Sequence, residues 1–260
     1  MKMGKRFSLV CALYFGIINT PYAEDTTWNF ANVTDSGNHY GNEINISQSG
    51  QNVSVSAWAD SGVTWDRNGR GRLNGSIETA KIDSNGWGLL NYNRLYDYYS
   101  GNKRADGHMV DNHLGTDMLL FSFEEAVSLS RLNLGWAQGG TSGRTSDISI
   151  AAFSELPALE GSDWSEVVNS TTLSFSGTFA SVSTGGYDLT SIATEAKYWL
   201  IGAYNSVFGT ARSASPGNDG FKLLALTTHA KEPTGDVSAP ATGALMIAVL
   251  GLVIYRRRNN

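Results

Sequence analysis

Between Glu24 and Asp236 the apolar residues come in short runs broken by Gly, Asn and Ser, and helical periodicity is scarce. That pattern limits the chain to strands joined by turns. Asn52–Ala59 sets the type: Val53, Val55 and Ala57 alternate with Ser54, Ser56 and Trp58, the period of a strand with one face in a core. Glu43–Ser47, Ile77–Asp83, Gly88–Tyr92, Met118–Phe123, Val127–Leu134, Ile148–Phe153, Thr171–Phe175, Tyr198–Tyr204 and Phe221–Thr228 continue the series. Asp60-Ser-Gly62, Ser84-Asn-Gly86, Gly139-Gly140, Gly185-Gly186 and Ser215-Pro-Gly217 supply turns, and Glu124-Glu125 reads as a turn between two strands. Only Asp163–Val168 and Leu189–Lys197 read as helix, each about two turns long. An α/β arrangement would place helices of roughly 10–15 residues between strands, and none is present. The expected fold is all-β, an antiparallel β-sandwich of the jelly-roll kind in one domain.

The two ends carry a different signal. Gly243–Tyr255 contains no charge and is followed by Arg256, Arg257 and Arg258. At ~1.5 Å per residue it spans about 20 Å, short of a bilayer unless the count starts near Pro240 and the arginines snorkel. The expectation is a transmembrane helix over 241–255, with the arginines as a cytoplasmic stop-transfer cluster and everything before it outside. A buried core helix would have to hide an apolar surface on all sides and end in three charges, so it is rejected. At the other end Lys2, Lys5 and Arg6 precede apolar Phe7–Ile18, a signal peptide with removal expected after Ala23; an uncleaved anchor is the alternative. The division is then 1–23 signal peptide, 24–227 ectodomain, 228–236 tether and 237–260 C-terminal signal.

Charge and cysteine usage agree with export. Six of the 19 basic residues and none of the 24 acidic ones lie in the two terminal segments, leaving 13 basic against 24 acidic and a net charge near −11. Such a body repels nucleic acid and anionic lipid. The one cysteine, Cys11, is in the leader, so the mature domain has no disulfide and no thiolate metal site.

The densest polar stretch is His108–Asp117. Oxygen ligands from Asp111, Asn112 and Asp117 suit a calcium loop better than zinc, and the bland alternative is an Asx-turn leading into Met118–Phe123. Asp219, in Asn218-Asp-Gly220, adds a further calcium ligand if its strand is adjacent; otherwise the triplet is a hairpin turn. Tyr92, Tyr96, Tyr98 and Tyr99, set among Asn, Asp and Arg, offer rings for stacking on sugars, or equally supply core. Trp136 and Trp199 lie in apolar runs and read as core. Gly69–Gly75 reads as a flexible basic loop. No nucleophile elbow occurs, and the mature domain has no cysteine nucleophile, so catalysis has no local motif.

The tail Val237, Ser238, Ala239, Pro240, Ala241 and Thr242, with its short apolar helix and terminal arginines, resembles the PEP-CTERM type of sorting signal, in a variant with Ser-Ala-Pro-Ala-Thr. Tyr40-Gly-Asn42, Val110-Asp-Asn112, Asp117–Phe121, Leu134-Gly-Trp136, Ser146–Ser149, Lys197–Ala203 and Asn218–Lys222 resemble stretches of exosortase-dependent surface proteins. The resemblance implies a Gram-negative host and an exosortase-type membrane protease acting near Ser238–Thr242. It also implies anchoring in the inner membrane, C-terminus in the cytoplasm, followed by passage to the cell surface among extracellular polysaccharide. The expected function is a non-enzymatic surface or matrix protein binding glycan or calcium; a secreted carbohydrate-active enzyme with the same tail is the rival.

Overall fold

The computed structural model describes residues 25–230, apart from 66, 69–70, 95–108, 114, 140–142, 213 and 215–216. Within them the protein is antiparallel β-structure with little helix. The strands in order are β1 (Asp25–Asn29), β2 (Glu43–Gln48), β3 (Gln51–Ala59), β4 (Val63–Trp65), β5 (Gly71–Leu73), β6 (Glu78–Thr79), β7 (Lys81–Asn85) and β8 (Gly88–Tyr92). They continue with β9 (Val110–Asp111), β10 (Asp117–Gln138), β11 (Thr145–Phe153), β12 (Leu173–Ser183), β13 (Tyr187–Asp188), β14 (Ala196–Ala203) and β15 (Gly220–Ala230). All but the β4–β5 hairpin join one hydrogen-bonded sheet.

β10 organises this sheet. Its first part, Asp117–Phe123, lies between β3 and β14, and its later part, Val127–Gln138, pairs with β15. Straight, 22 residues would span ~70 Å. Yet the Asp117 carboxylate accepts the Asp111 N–H, Asp111 pairs with Gly220, and Gly220 pairs with Gln138. The two ends of β10 are therefore close, and the strand doubles back. The corner is the register shift between Ser122 and Val127, where Glu124 and Glu125 are exposed. The expected turn at Glu124-Glu125 is thus a corner taken inside one strand. Trp199, fully buried, ties it down by donating its indole N–H to Val127 O at 3.2 Å and Ala196 O at 3.0 Å.

One half of the sheet runs β2-β3-β10-β14-β11-β12. The other has β15 beside β10, with β1, β8 and β9 on the far edge of β15 and β7 outside β8. The main core collects Trp28, Phe30, Phe121, Phe123, Trp199 and Phe221 from both halves, with Trp28–Phe123 ring centroids 5.8 Å apart and Phe30–Phe121 5.7 Å apart. Alternate residues of the first half, Met118, Leu120, Ala151, Phe153 and Leu200, point the other way into a second cluster. That cluster is closed by Leu159, by Phe208 and by helix α1 (Trp164–Val168). Asp163 and Glu166 cap α1 reciprocally, with Glu166 N donating to Asp163 Oδ1 at 2.8 Å and Asp163 N to Glu166 Oε2 at 3.1 Å.

Several expectations change. Leu189–Lys197 is not helical: Thr190 N and Oγ1 both donate to Asp188 Oδ1, Leu189 N donates to Ser130 O, and the chain then enters β14. Gly71–Leu73 of the supposed flexible loop is paired with β4. β15 continues to Ala230, into the expected tether, because His229 and Ala230 pair with Ser128 and Val127. Trp136 is half-buried with the Lys222 ammonium 6.0 Å over its ring, whereas Trp199 is core as expected.

β1 lies antiparallel to the end of β15, with Asp25 opposite His229 and their side chains joined at 3.0 Å. The first and last described strands therefore end together at one pole. The start of β15 at Gly220 lies about 30 Å away, nine residues at ~3.3 Å each. No helix among the described residues is long and apolar enough to cross a membrane, and the expected helix 241–255 lies outside them.

Candidate functional site

The far pole, around Gly220, collects the acidic residues singled out in the sequence. Asp111 ends β9, Asp117 opens β10 and Asp219 precedes β15; they are 8 %, 1 % and 1 % exposed, with Asn112 at 9 %. Among the described residues their hydrogen bonds fall into two groups.

In the first, Asn112 and Asp219 clasp each other. Asp219 N donates to Asn112 Oδ1 at 2.9 Å and Asn112 N to Asp219 O at 3.2 Å. Asn112 Nδ2 reaches Tyr204 O at 2.9 Å and Asp219 Oδ2 at 3.2 Å. The other oxygen, Asp219 Oδ1, accepts Asp147 N at 2.8 Å, and Asp147 Oδ1 accepts Ser181 N at 2.7 Å. The clasp so joins the β9–β10 connection, β11, β12, the end of β14 and the start of β15. β15 is separated from β14, the strand before it in the chain, by β10, so Asn218–Gly220 does not join two paired strands as a hairpin turn.

The second network is built on Asp117. Asn93 Nδ2 donates to its Oδ1 at 2.9 Å and Asp111 N to its Oδ2 at 3.3 Å. Burial raises the Asp117 carboxyl well above the usual carboxylate range, and the Asp111 charge raises it further, against the hydrogen bonds from Asn93 and Asp111 N–H. Asp60, half-buried, adds to this repulsion and accepts a hydrogen bond from Thr116 N. Burial raises its own carboxyl too, opposed by that bond. The Trp164 indole N–H lies near enough to favour the Asp60 anion but completes no hydrogen bond of ordinary geometry. Asp111 Oδ1 accepts His113 N at 2.8 Å, the Asx-turn expected as the bland alternative. Close by in sequence, Ser61 Oγ and Asn91 Oδ1 are buried without a hydrogen-bond partner.

Among the described residues no three His, Cys, Asp or Glu side chains are grouped to hold one metal ion. In this arrangement Asp219 Oδ1 and Oδ2 accept hydrogen bonds from Asp147 N and Asn112 Nδ2, and Asn112 Oδ1 accepts one from Asp219 N. Of the tyrosines, Tyr92 is described: it is half-buried at the end of β8, and the Lys81 ammonium lies 4.2 Å over its ring, covering one face. Tyr96, Tyr98, Tyr99 and His108 lie outside the described residues, as do Val237–Thr242 and Arg256–Arg258.

Asp60, Asn93 and Asp147 join the site without a sequence motif: Asp60 sits in the turn signal Asp60-Ser-Gly62, and Asp147 is one acid at the head of the apolar run Ile148–Phe153, the available hint. No protein-family model matches the chain, and no curated protein or solved structure matches it.

Proposed function

We propose that the chain is an exported, exosortase-sorted surface protein whose ectodomain is a jelly-roll-like β-sandwich. It is displayed in the extracellular matrix of a Gram-negative cell and catalyses no reaction. In this reading residues 1–23 are removed on export. The helix 241–255 holds the body at the inner membrane with Arg256–Arg258 in the cytoplasm, and the protease acts near Ser238–Thr242. The observation that supports it is the order of Val237–Thr242, uncharged Gly243–Tyr255 and Arg256–Arg258; the neighbouring of Asp25 and His229 adds an orientation. A body tethered after β15 has its membrane-near pole there, and the acidic pole about 30 Å away faces outward. That outward pole, with Tyr92, is where polysaccharide or calcium would be met.

The test replaces Val237–Thr242 in the native host and follows size and location. Loss of processing, with retention in the membrane fraction, is expected; unchanged size and distribution refute the sorting claim. Hydrolysis of polysaccharide by the purified chain would establish the carbohydrate-active enzyme instead.

A further inference from the structure

A tryptophan exposed on its own is ordinary; one fixed in place and left bare is not. Trp87, in the turn between β7 and β8, is 58 % exposed, the one aromatic among the exposed large apolar side chains of the described residues. Two glycines hold its backbone down. Gly88, at φ +113°, lies so close to β15 that a Cβ there would collide with Leu223 O. A Cβ on Gly135, in β10, would collide with Trp87 O and lie 3.0 Å from Trp87 Cα. Neither position has room for a side chain. Trp87 N is held as well, donating to Asn85 Oδ1 at 2.9 Å. The indole therefore projects from a fixed base.

Neighbouring rings are covered. The Lys81 ammonium lies 4.2 Å over Tyr92, and the Lys222 ammonium lies 6.0 Å over Trp136, the residue after Gly135. Among the described residues no ring and no cation covers Trp87. Beside the turn stands an exposed amide: Asn32 N donates to Asn85 O at 3.1 Å, and Asn32 Oδ1 lies 4.0 Å from where a Cβ on Gly86 would be.

We infer that Trp87 is a stacking platform for one pyranose ring of an uncharged polysaccharide, with the Asn32 amide beside it to bond a hydroxyl. The surroundings select this occupant. A protein partner covers about 800 Å² per side and is anchored by several apolar side chains. The other exposed large apolar residues, Leu73, Leu156 and Val207, lie on β5, before α1 and after β14, away from the strands around Trp87. Nucleic acids and acidic polysaccharides are opposed by a body with a net charge near −11. An uncharged pyranose needs only what is present: a bare ring, whose negative face attracts C–H bonds, and a polar group at its side. Leu223, against Gly88, is three residues from Gly220, or ~10 Å along β15, so the platform lies in the half of the body that holds the acidic pole. The inference rests on the proposed reading of that pole as the side that meets polysaccharide; the sorting signal has no part in it.

Titration calorimetry of the full chain tests it, with cellohexaose, laminarihexaose, mannohexaose and chitohexaose as probes. At least one should bind, and Trp87→Ala should weaken that binding by about tenfold or more. Trp87→Phe, which keeps a ring, should hold the affinity within about threefold. The indole is exposed and its backbone contacts survive truncation, so melting of Trp87→Ala should be unchanged and a lost affinity reports on the ring. Binding that Trp87→Ala leaves intact overturns the platform and moves polysaccharide recognition to another surface. No binding of any of the four probes overturns the platform and the polysaccharide reading together.

Discussion

Asp219→Ala separates a structural clasp from a metal ligand. The carboxylate accepts Asp147 N at 2.8 Å through one oxygen and Asn112 Nδ2 at 3.2 Å through the other. Truncation removes the carboxylate acceptor of the buried Asp147 N–H, at about 1–3 kcal/mol, and one of two bonds from Asn112 Nδ2, at about 0.5–1.5 kcal/mol. Asn112 keeps Tyr204 O, so its amide is not orphaned. The loss is then about 2–4 kcal/mol, and at ~2–4 °C per kcal/mol for a body of this size the melting temperature should fall by roughly 5–15 °C. The assay is thermal unfolding of the full chain in chelator and in added calcium. The clasp predicts the same drop in both. A drop of less than about 2 °C in chelator with a large one in calcium would mean that Asp219 acts through the ion, and the hydrogen-bond reasoning would fail.

Asp117 makes stability depend on pH. Its folded carboxyl titrates above the unfolded value, so its contribution is present at pH below ~4 and declines as pH rises through the folded pKa. Asp117→Asn should flatten that decline in a denaturation series from acid to neutral pH, whatever its offset; an unchanged slope counts against it. Gly202→Ala would drive a methyl into Met118 Sδ and the Asp117 carbonyl oxygen at the centre of the sheet, costing about 1–3 kcal/mol or more by denaturant midpoint. Asn42→Ala should leave Ile82 N–H and C=O, both buried, without partners and cost about 2–4 kcal/mol in a thermal melt; a loss under about 1 kcal/mol would show that water replaces the amide.

Legibility in the sequence followed how local the cause was. Val53, Val55 and Ala57 announce β3 because only one face of that strand is fully buried. Met118–Phe123 and Tyr198–Tyr204 lose alternation because α1 and Phe208 cover their second face, and those covers come from distant segments. β1 escaped notice because its inward pair is Thr26 and Trp28, and a threonine does not mark a core strand. Leu189–Lys197 has a local pattern that suits a helix, but the Asp188–Thr190 turn and the pairing of Ala196 with Val127 decide the outcome. At the acidic pole the residue types were readable and their grouping was not. Asp219 meets Asp147 across 72 positions and Asn112 across 107, separations that no spacing rule spans.

The corner in β10 explains why these distant acids meet at all. Were β10 straight, Asp117 and Gln138 would lie ~70 Å apart, with Asp117 at one end and the start of β15 at the other. Because the strand doubles back at Glu124–Ala126, both of its ends and the start of β15 come to the same pole, and the end of β15 comes to the corner. The same bend therefore places the acids together and keeps them away from the pole where β1 begins and β15 ends. Burial of Asp117 there costs stability at neutral pH, since one more carboxylate charge beside Asp111 opposes the fold. At the opposite end of the bend, Trp199 holds the corner by donating its indole N–H to Val127 O and Ala196 O.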